Sequence, residues 1–234
     1  MFTLSYLNIA TIILDVSAII LVLGILRQTR FMRQSGRESD RLFRSMLIFT
    51  CVMAVGDIGG YLTVDKADPV LINLQSISMT VFYIALTMLV MLWFDYCSFR
   101  FRDAEKVVKI GMRPAFIPGV LILGIVFINN STGLFFRIDE MGHYHREMLF
   151  LPVYVVYAIY LIAGFVYVGK YRTADKKVLI PLWLYIAPIV VSGIVTFAVG
   201  EISMAALGTA LTIVFTHLGT MNEIAEISMK ESAL

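Results

Sequence analysis

Long uninterrupted runs of apolar residues alternate with short polar segments along the whole chain. A helix needs about 20 apolar residues to cross the roughly 30 Å hydrocarbon core of a bilayer. Seven runs approach or reach that length, so the pattern predicts seven membrane-spanning helices. The runs cover residues 4–26, 45–63, 70–94, 115–128, 150–168, 178–197 and 202–218.

The continuity of these runs also indicates the fold class. A membrane-spanning β-barrel would show alternating segments of about 10 residues, whereas continuous apolar runs favour helices that satisfy their own backbone groups in lipid. We therefore predict an all-α, polytopic seven-transmembrane-helix bundle over residues 1–221. Residues 222–234 read as a cytoplasmic tail, and we interpret them as the start of a linker helix that leads into a larger protein.

Composition narrows the possible functions. Of the 234 residues, 59% are hydrophobic and 15% are charged, against about 45–50% and 25% in soluble domains. So much apolar surface cannot be hidden in one water-soluble core, so we expect the lipid bilayer as solvent and exclude nucleic-acid binding. The two cysteines form no C-x-x-C pair, and we predict neither a disulfide framework nor a cofactor.

The basic residues predict the orientation of the bundle. All but three of the 19 Lys and Arg residues lie in one set of loops and in the tail. The exceptions, Lys66, Arg137 and Arg146, lie in the opposite set. Cytoplasmic loops carry the excess of Lys and Arg, so we predict an outer N-terminus, an inner C-terminus and a bacterial plasma-membrane location.

Three polar residues inside the apolar runs are candidates for a binding site. Asp15 lies in the first run, Asp57 in the outer half of the second and Gln75 in the outer half of the third. Ionisable groups in hydrocarbon face the bundle interior or water, so these residues predict a polar cavity that opens outwards. The alternative is that they hydrogen-bond neighbouring helices and serve only packing.

A tyrosine series on the fifth predicted helix extends this candidate site. Tyr154, Tyr157 and Tyr160 recur every three residues and share one broad helix face. Tyr83 and Tyr185 are candidates for the same polar and aromatic wall, because phenol groups in lipid need partners. Ordinary packing and interface anchoring remain the alternative interpretation.

The longest predicted outer segment contains the pattern H-x-H-x-E. In an extended segment His143, His145 and Glu147 would point to one side, which permits metal binding. A fourth ligand is not apparent, so we predict no metal site. A nucleophile with a nearby base, a phosphate-binding loop and a haem ligand pair are likewise not apparent, and we predict that these residues form no enzyme.

Several short segments resemble one family. They are R-L-F-R-S-M-L-I at 41–48 followed by Asp57, T-G-L-F-F-R-I-D at 132–139, H-Y-H-R-E at 143–147 and the exit of the last helix at 216–228. Together they are similar to the N-terminal seven-transmembrane sensor region of bacterial signalling proteins that carry diguanylate cyclase or histidine kinase output domains. The resemblance implies an outward ligand-sensing module, with Tyr144, His145, Arg146 and Asp57 as site residues.

Three functions remain open from the sequence. The first is a sensory receptor domain that binds a small-molecule or peptide ligand, forms a homodimer and signals through the seventh helix. The second is a transporter or channel for small solutes or ions, which would use Asp15 and Asp57 inside the membrane. The third is a helper subunit, for which Ala206 and Ala210 would supply a close-packing helix face.

Overall fold

The structure is a computed structural model that describes residues 5–31, 38–100, 116–171, 187–196 and 203–232. This part of the chain is mostly helical and contains seven helices, each of which overlaps one predicted apolar run. The predicted helical fold class is therefore confirmed. The helices are α1 (Tyr6–Phe31), α2 (Glu38–Thr63), α3 (Pro69–Arg100), α4 (Ile117–Thr132), α5 (Phe150–Tyr171), α6 (Ala187–Thr196) and α7 (Ala205–Ser232).

Three of the seven helices are long and apolar enough to cross a membrane. Their apolar segments are Tyr6–Thr29, Arg41–Thr63 and Pro69–Cys97, and the apolar parts of the other four described helices are shorter. By length and composition the chain is a helical membrane protein. The seven-span arrangement and its orientation stay predictions, and residues 101–115 and 172–186, which carry much of the predicted inner charge, lie outside the described residues.

The two faces of α1 show which solvent surrounds the bundle. Its exposed face carries the large apolar side chains Ile9, Ile13, Val16, Ile20 and Leu23, spaced alternately by four and three residues. The buried face instead begins with polar residues, and they are Asn8, Thr11 and Asp15. Apolar residues outside and polar residues inside reverse the pattern of a water-soluble helix, as expected for a helix in lipid.

The core of the fold is the antiparallel pair formed by α2 and α3. α3 also packs against α4 and α5, while α7 packs against α1 and α2. The short turn between α2 and α3 is set by its sequence. The Asp68 side chain accepts a hydrogen bond from the Val70 N–H at 2.8 Å, and Pro69 opens the helix, where its missing N–H costs nothing.

Close approach of α2 to α3 depends on glycine. A Cβ atom built on the buried Gly56 would lie 2.8 Å from the Phe82 nitrogen and 2.9 Å from the Ser78 carbonyl oxygen. Both are backbone atoms, so neither can move aside without moving α3. Gly56 therefore fixes the distance between the two central helices.

A small β-hairpin between α4 and α5 was not predicted from the apolar pattern. Its strands are β1 (Phe136–Ile138) and β2 (Tyr144–Arg146), and they pair antiparallel with Arg137 opposite His145. Three residues per strand are too few for alternation to be visible in the sequence. The hairpin lies in the segment that we had predicted as the longest outer one.

We predict that Gly56→Ala destabilises the protein. The added methyl group should cost about 2 kcal/mol through overpacking, which for a chain of this length lowers the Tm by roughly 6 °C. Thermal unfolding in detergent measures the shift. Gly24→Ala is the matched control, because its Cβ would meet nothing within 4 Å; an equal Tm for the two variants would contradict the role of Gly56.

Candidate functional site

The hairpin is fastened to the end of α4 by one asparagine. The buried Asn129 side chain donates to the Phe136 carbonyl at 2.8 Å, and its Oδ1 accepts from the N–H groups of Phe135 and Phe136 at 2.8 and 3.2 Å. Gly133 ends α4 in the left-handed conformation, with φ at 61°, which turns the chain into β1. The start of the hairpin is therefore rigidly placed.

The far end of the hairpin rests on the turn between α2 and α3. The Asp65 N–H donates to the Gly142 carbonyl at 3.2 Å. Gly142 has φ at 84°, and a Cβ there would lie 2.6 Å from the Lys66 nitrogen, so only glycine fits. Between these two ends, the hydroxyl groups of Tyr144 and Tyr83 share a 2.7 Å hydrogen bond, which ties β2 to α3.

Beneath the hairpin lies a cavity of about 560 Å³. This volume is within the usual range for a small-molecule site. Every described helix except α4 and α7 contributes to its wall, together with the hairpin and the residues beside α1 and α7. The lining residues are Ser5, Asn8, Asp57, Gly60, Tyr61, Val64, Asp65, Gln75, Met79, Phe82, Tyr83, His143, Tyr144, Arg146, Phe150, Tyr154, Thr196 and Ser203.

The inner part of the cavity wall, which we call the floor, is formed by Asp57 and Gln75. Gln75 is fully buried and Asp57 is 2% exposed. Within the described part of the chain, Asp57 Oδ2 and both polar atoms of the Gln75 amide have no hydrogen-bond partner. Unpaired buried polar groups are costly, and a polar ligand that paired with them would offset this cost.

Asp15 adds a second carboxyl group next to the floor. It does not line the cavity, but it interacts electrostatically with Asp57, and Tyr61 interacts with both carboxyl groups. Both Asp15 oxygens are buried without a hydrogen-bond partner among the described residues. The inner end of the cavity is therefore an acidic environment.

The outer edge of the cavity, its rim, carries charges of both signs. It is formed by the exposed side chains of Asp65, His143 and Arg146, so the cavity opens at the hairpin. His143 Nε2 lies 3.7 Å from Asp65 Oδ1. The Arg146 guanidinium carbon lies 4.9 Å from the centre of the Phe150 ring, which places a cation over an aromatic wall residue.

A second cluster orders the turn of the hairpin. The His145 and His143 rings donate to Asp139 Oδ2 at 3.0 and 3.2 Å. The hydrogen bond from His145, with further ones from the backbone N–H groups of His143 and Met141, holds the pKa of Asp139 well below its usual range. Burial raises the pKa of Tyr144 above its usual value, so this residue stays a neutral phenol that can donate to Tyr83.

Six of the nine candidate site residues line this one cavity. They come from four separate parts of the sequence, and they are Asp57, Gln75, Tyr83, Tyr144, Arg146 and Tyr154. The hairpin explains how the outer segment reaches the intramembrane residues. Ligand binding by these six residues stays a prediction.

The other three candidates lie elsewhere. Asp15 is beside the floor, as described above. Tyr157 bonds to the Thr87 hydroxyl at 2.7 Å, so it connects α5 to α3 in the packing role that was its alternative interpretation. His145 points away from the cavity towards Asp139, because neighbouring residues of a strand face opposite sides.

Contacts in the structure also show what the remaining tyrosines and the residues of the H-x-H-x-E pattern do. Tyr160 accepts a hydrogen bond from the Gly119 N–H at 3.1 Å and so ties α5 to α4, while Tyr185 lies outside the described residues. Glu147 pairs with Arg137 at 3.2 Å instead of approaching the histidines. In the described ranges no three His, Cys, Asp or Glu side chains are placed to hold a metal ion.

Several lining residues were missed from the sequence. Tyr61 follows Asp57 by four residues and Asn8 precedes Asp15 by seven, so helical spacing places each pair on one face and could have identified them. Thr196 and Ser203 carry no such signal. They reach the cavity because α7 packs against α1 and α2 and because Thr196, at the end of α6, accepts a hydrogen bond from the Met204 N–H just before α7.

We predict that Asn129→Ala releases the hairpin. Three buried hydrogen bonds are lost and two backbone N–H groups are left unpaired, which should cost about 3 kcal/mol. Amide hydrogen exchange should become faster over residues 135–146, and the Tm should fall. Asn130→Ala is the neighbouring control, since Asn130 accepts solvent-exposed hydrogen bonds from the Ser76 and Thr80 hydroxyls of α3; equal effects on hairpin exchange would contradict the assignment to Asn129.

We predict that the Asp139 cluster stabilises the hairpin in a pH-dependent way. Because folding lowers the pKa of Asp139, its contribution is complete above the ordinary carboxyl pKa of about 3.9 and is lost as the pH falls towards the lowered value. Asp139→Asn should therefore speed hydrogen exchange in the hairpin severalfold at pH 7. Below about pH 4, the ratio of the hydrogen-exchange rate of the variant to that of the wild type should fall towards one. Glu140→Gln, a change at an exposed neighbour, should leave exchange unchanged at both pH values.

Comparison with known proteins yields no match from which a function could be argued. The chain matches no family model, no curated protein and no solved structure. The cavity, its floor and its rim are therefore the observations from which a function can be argued.

Proposed function

We propose that the chain is the sensory domain of a transmembrane receptor, and that the cavity beneath the hairpin binds its ligand. The observation that carries this proposal is the cavity of about 560 Å³, which joins a charged rim to buried polar groups on α2 and α3 that have no partner among the described residues. Small-molecule sites are concave and combine polar groups at defined positions with apolar and aromatic side chains, and this cavity has side chains of both kinds.

The route from the cavity to the other end of the bundle runs through α7. Asp15 and Asp57 lie on α1 and α2, the two helices that pack against α7. Near the end of the apolar segment of α7 (Ala205–Leu218), His217 Nε2 lies 3.2 Å from Gln28 Oε1 of α1 and its ring stacks on Phe43 of α2 at 5.9 Å. A ligand that shifts α1 against α2 would change both of these contacts, so α7 is the element that would carry the signal.

The proposal includes the finer points of the topology. We propose seven spans with the N-terminus and the hairpin outside and the C-terminus inside, in a bacterial plasma membrane, with a homodimer as the signalling unit. The positive charge of the predicted inner loops supports this orientation. In the bundle so oriented, the rim faces outwards and Asp57 lies about 9 Å from the outer end of α2, six residues at 1.5 Å each.

The alternative is a transporter or channel, and it is favoured by the carboxyl groups of Asp15 and Asp57. A receptor needs a cavity open to one side only. A transport path must expose the same carboxyl groups to both sides during its cycle. Accessibility of the floor from each side therefore separates the two functions.

The test is chemical labelling of cysteine at the floor. In a Cys51→Ser, Cys97→Ala background, Asp57→Cys is treated with a membrane-impermeant quaternary-ammonium methanethiosulfonate in right-side-out and in inside-out vesicles. A receptor cavity predicts labelling in right-side-out vesicles only. Ala54→Cys is the buried control on the same helix, because Ala54 is fully buried and does not line the cavity.

Two exposed positions report the orientation in the same vesicles. Glu140→Cys in the hairpin should react only in right-side-out vesicles, and Arg41→Cys near the start of α2 only in inside-out vesicles. Labelling of Asp57→Cys in both vesicle orientations would overturn the receptor proposal in favour of a transporter. Reaction of Glu140→Cys only in inside-out vesicles would overturn the orientation.

A further inference from the structure

The unpaired atoms of the floor define what a ligand must offer there. Asp57 supplies one carboxylate oxygen, and Gln75 supplies one acceptor and two donor hydrogens, all buried and without partners among the described residues. A carboxylate pairs best with a charged donor. The second carboxyl group of Asp15, which interacts with Asp57, further favours a cation over a neutral group.

The aromatic residues around the floor suit the same kind of group. Tyr61 and Tyr83 line the cavity and interact electrostatically with Asp57, and Phe82 is a further aromatic residue of the lining. The faces of aromatic rings attract ammonium ions, and the attraction is stronger where water is excluded. An ammonium group on Asp57 would therefore be bound by charge and by ring faces together.

The rim carries Asp65 but also offers positive charge. Arg146 faces the cavity from the hairpin, and among the described lining residues it is the one with a permanent positive charge. Tyr154 lies between the two ends, since it interacts electrostatically with both Arg146 and Asp57. The cavity is therefore polarised along its length, from an acidic floor to a rim that carries a guanidinium group.

From this polarity we infer that the ligand is a small zwitterion, an amino carboxylate. Its ammonium group binds Asp57 Oδ2 and Gln75 Oε1, and its carboxylate faces Arg146. A molecule with both charges but no net charge matches the two ends at once. A simple amine has no carboxylate to face Arg146, and a simple acid has no ammonium group to bind Asp57. This inference rests on the proposed function, because it names the ligand class of the same cavity.

The experiment measures binding of matched probes to the full chain in lipid nanodiscs by isothermal titration calorimetry. The probes are the common L-amino acids and linear ω-amino acids, each compared with the amine that lacks the carboxylate and the acid that lacks the ammonium group. Neutral amides of the same size complete the panel. At least one amino carboxylate should bind about tenfold or more tightly than both of its analogues.

Two variants assign the charges to the two ends of the cavity. Asp57→Asn should weaken the binding of the amino carboxylate and of its amine analogue alike, by about tenfold or more. Arg146→Gln should weaken the binding of the amino carboxylate but not that of the amine, so the preference for the zwitterion should disappear. Gln75→Leu, similar in size and without polar atoms, should also weaken both probes. Thermal unfolding without probe verifies that each variant is folded, and Glu140→Gln is the surface control.

The outcomes separate the inference from the proposed function. Tighter binding of an amine, an acid or a neutral amide than of any amino carboxylate overturns the ligand class but leaves a ligand-binding cavity. Binding of an amino carboxylate that Asp57→Asn leaves unchanged overturns the assigned site. If no probe in the panel binds, the ligand class is also overturned. Labelling of Asp57→Cys from one side or from both decides the proposed function independently.

Discussion

The placement of polar side chains on the inside of an apolar bundle is the constraint on which the rest of this structure depends. Lipid offers no hydrogen bonds, so polar groups within a span must face other helices or a hydrated space. On α1 this requirement places Asn8, Thr11 and Asp15 on the buried face and isoleucines on the other. The same requirement brings Asp57 and Gln75 inside, where their unpaired atoms form the floor of the cavity.

The hairpin bounds this polar interior and leaves it a defined opening at the rim. Asn129 holds its start, Gly142 fits its tip against the turn after α2, and Tyr144 bonds to Tyr83. With both ends held, the hairpin closes over the polar interior and adds Arg146 to the rim. A loop without these anchors would leave the floor open and without a cation opposite it.

A close contact between helices lies beside the same site. Gly56, which sets the approach of α2 to α3, immediately precedes Asp57, so the position of the carboxyl group depends on a backbone contact that leaves no room for a side chain. Asp57 is therefore placed by rigid packing, and a ligand that displaces it must move a helix. This physical connection makes α2 and its neighbours α1 and α7 suitable elements for a receptor.

The helical class, the seven apolar runs and the burial of Asp15, Asp57 and Gln75 could be predicted from the sequence alone, because lipid solvation acts on each residue through its own chemistry. Helical spacing also places Tyr61 on the same helix face as Asp57. Only the tertiary structure separated Tyr154, which lines the cavity, from Tyr157 and Tyr160, which bond to α3 and α4. It alone brought Thr196, Ser203 and the hairpin to the cavity, since contacts between segments distant in sequence arise from packing and leave no local pattern.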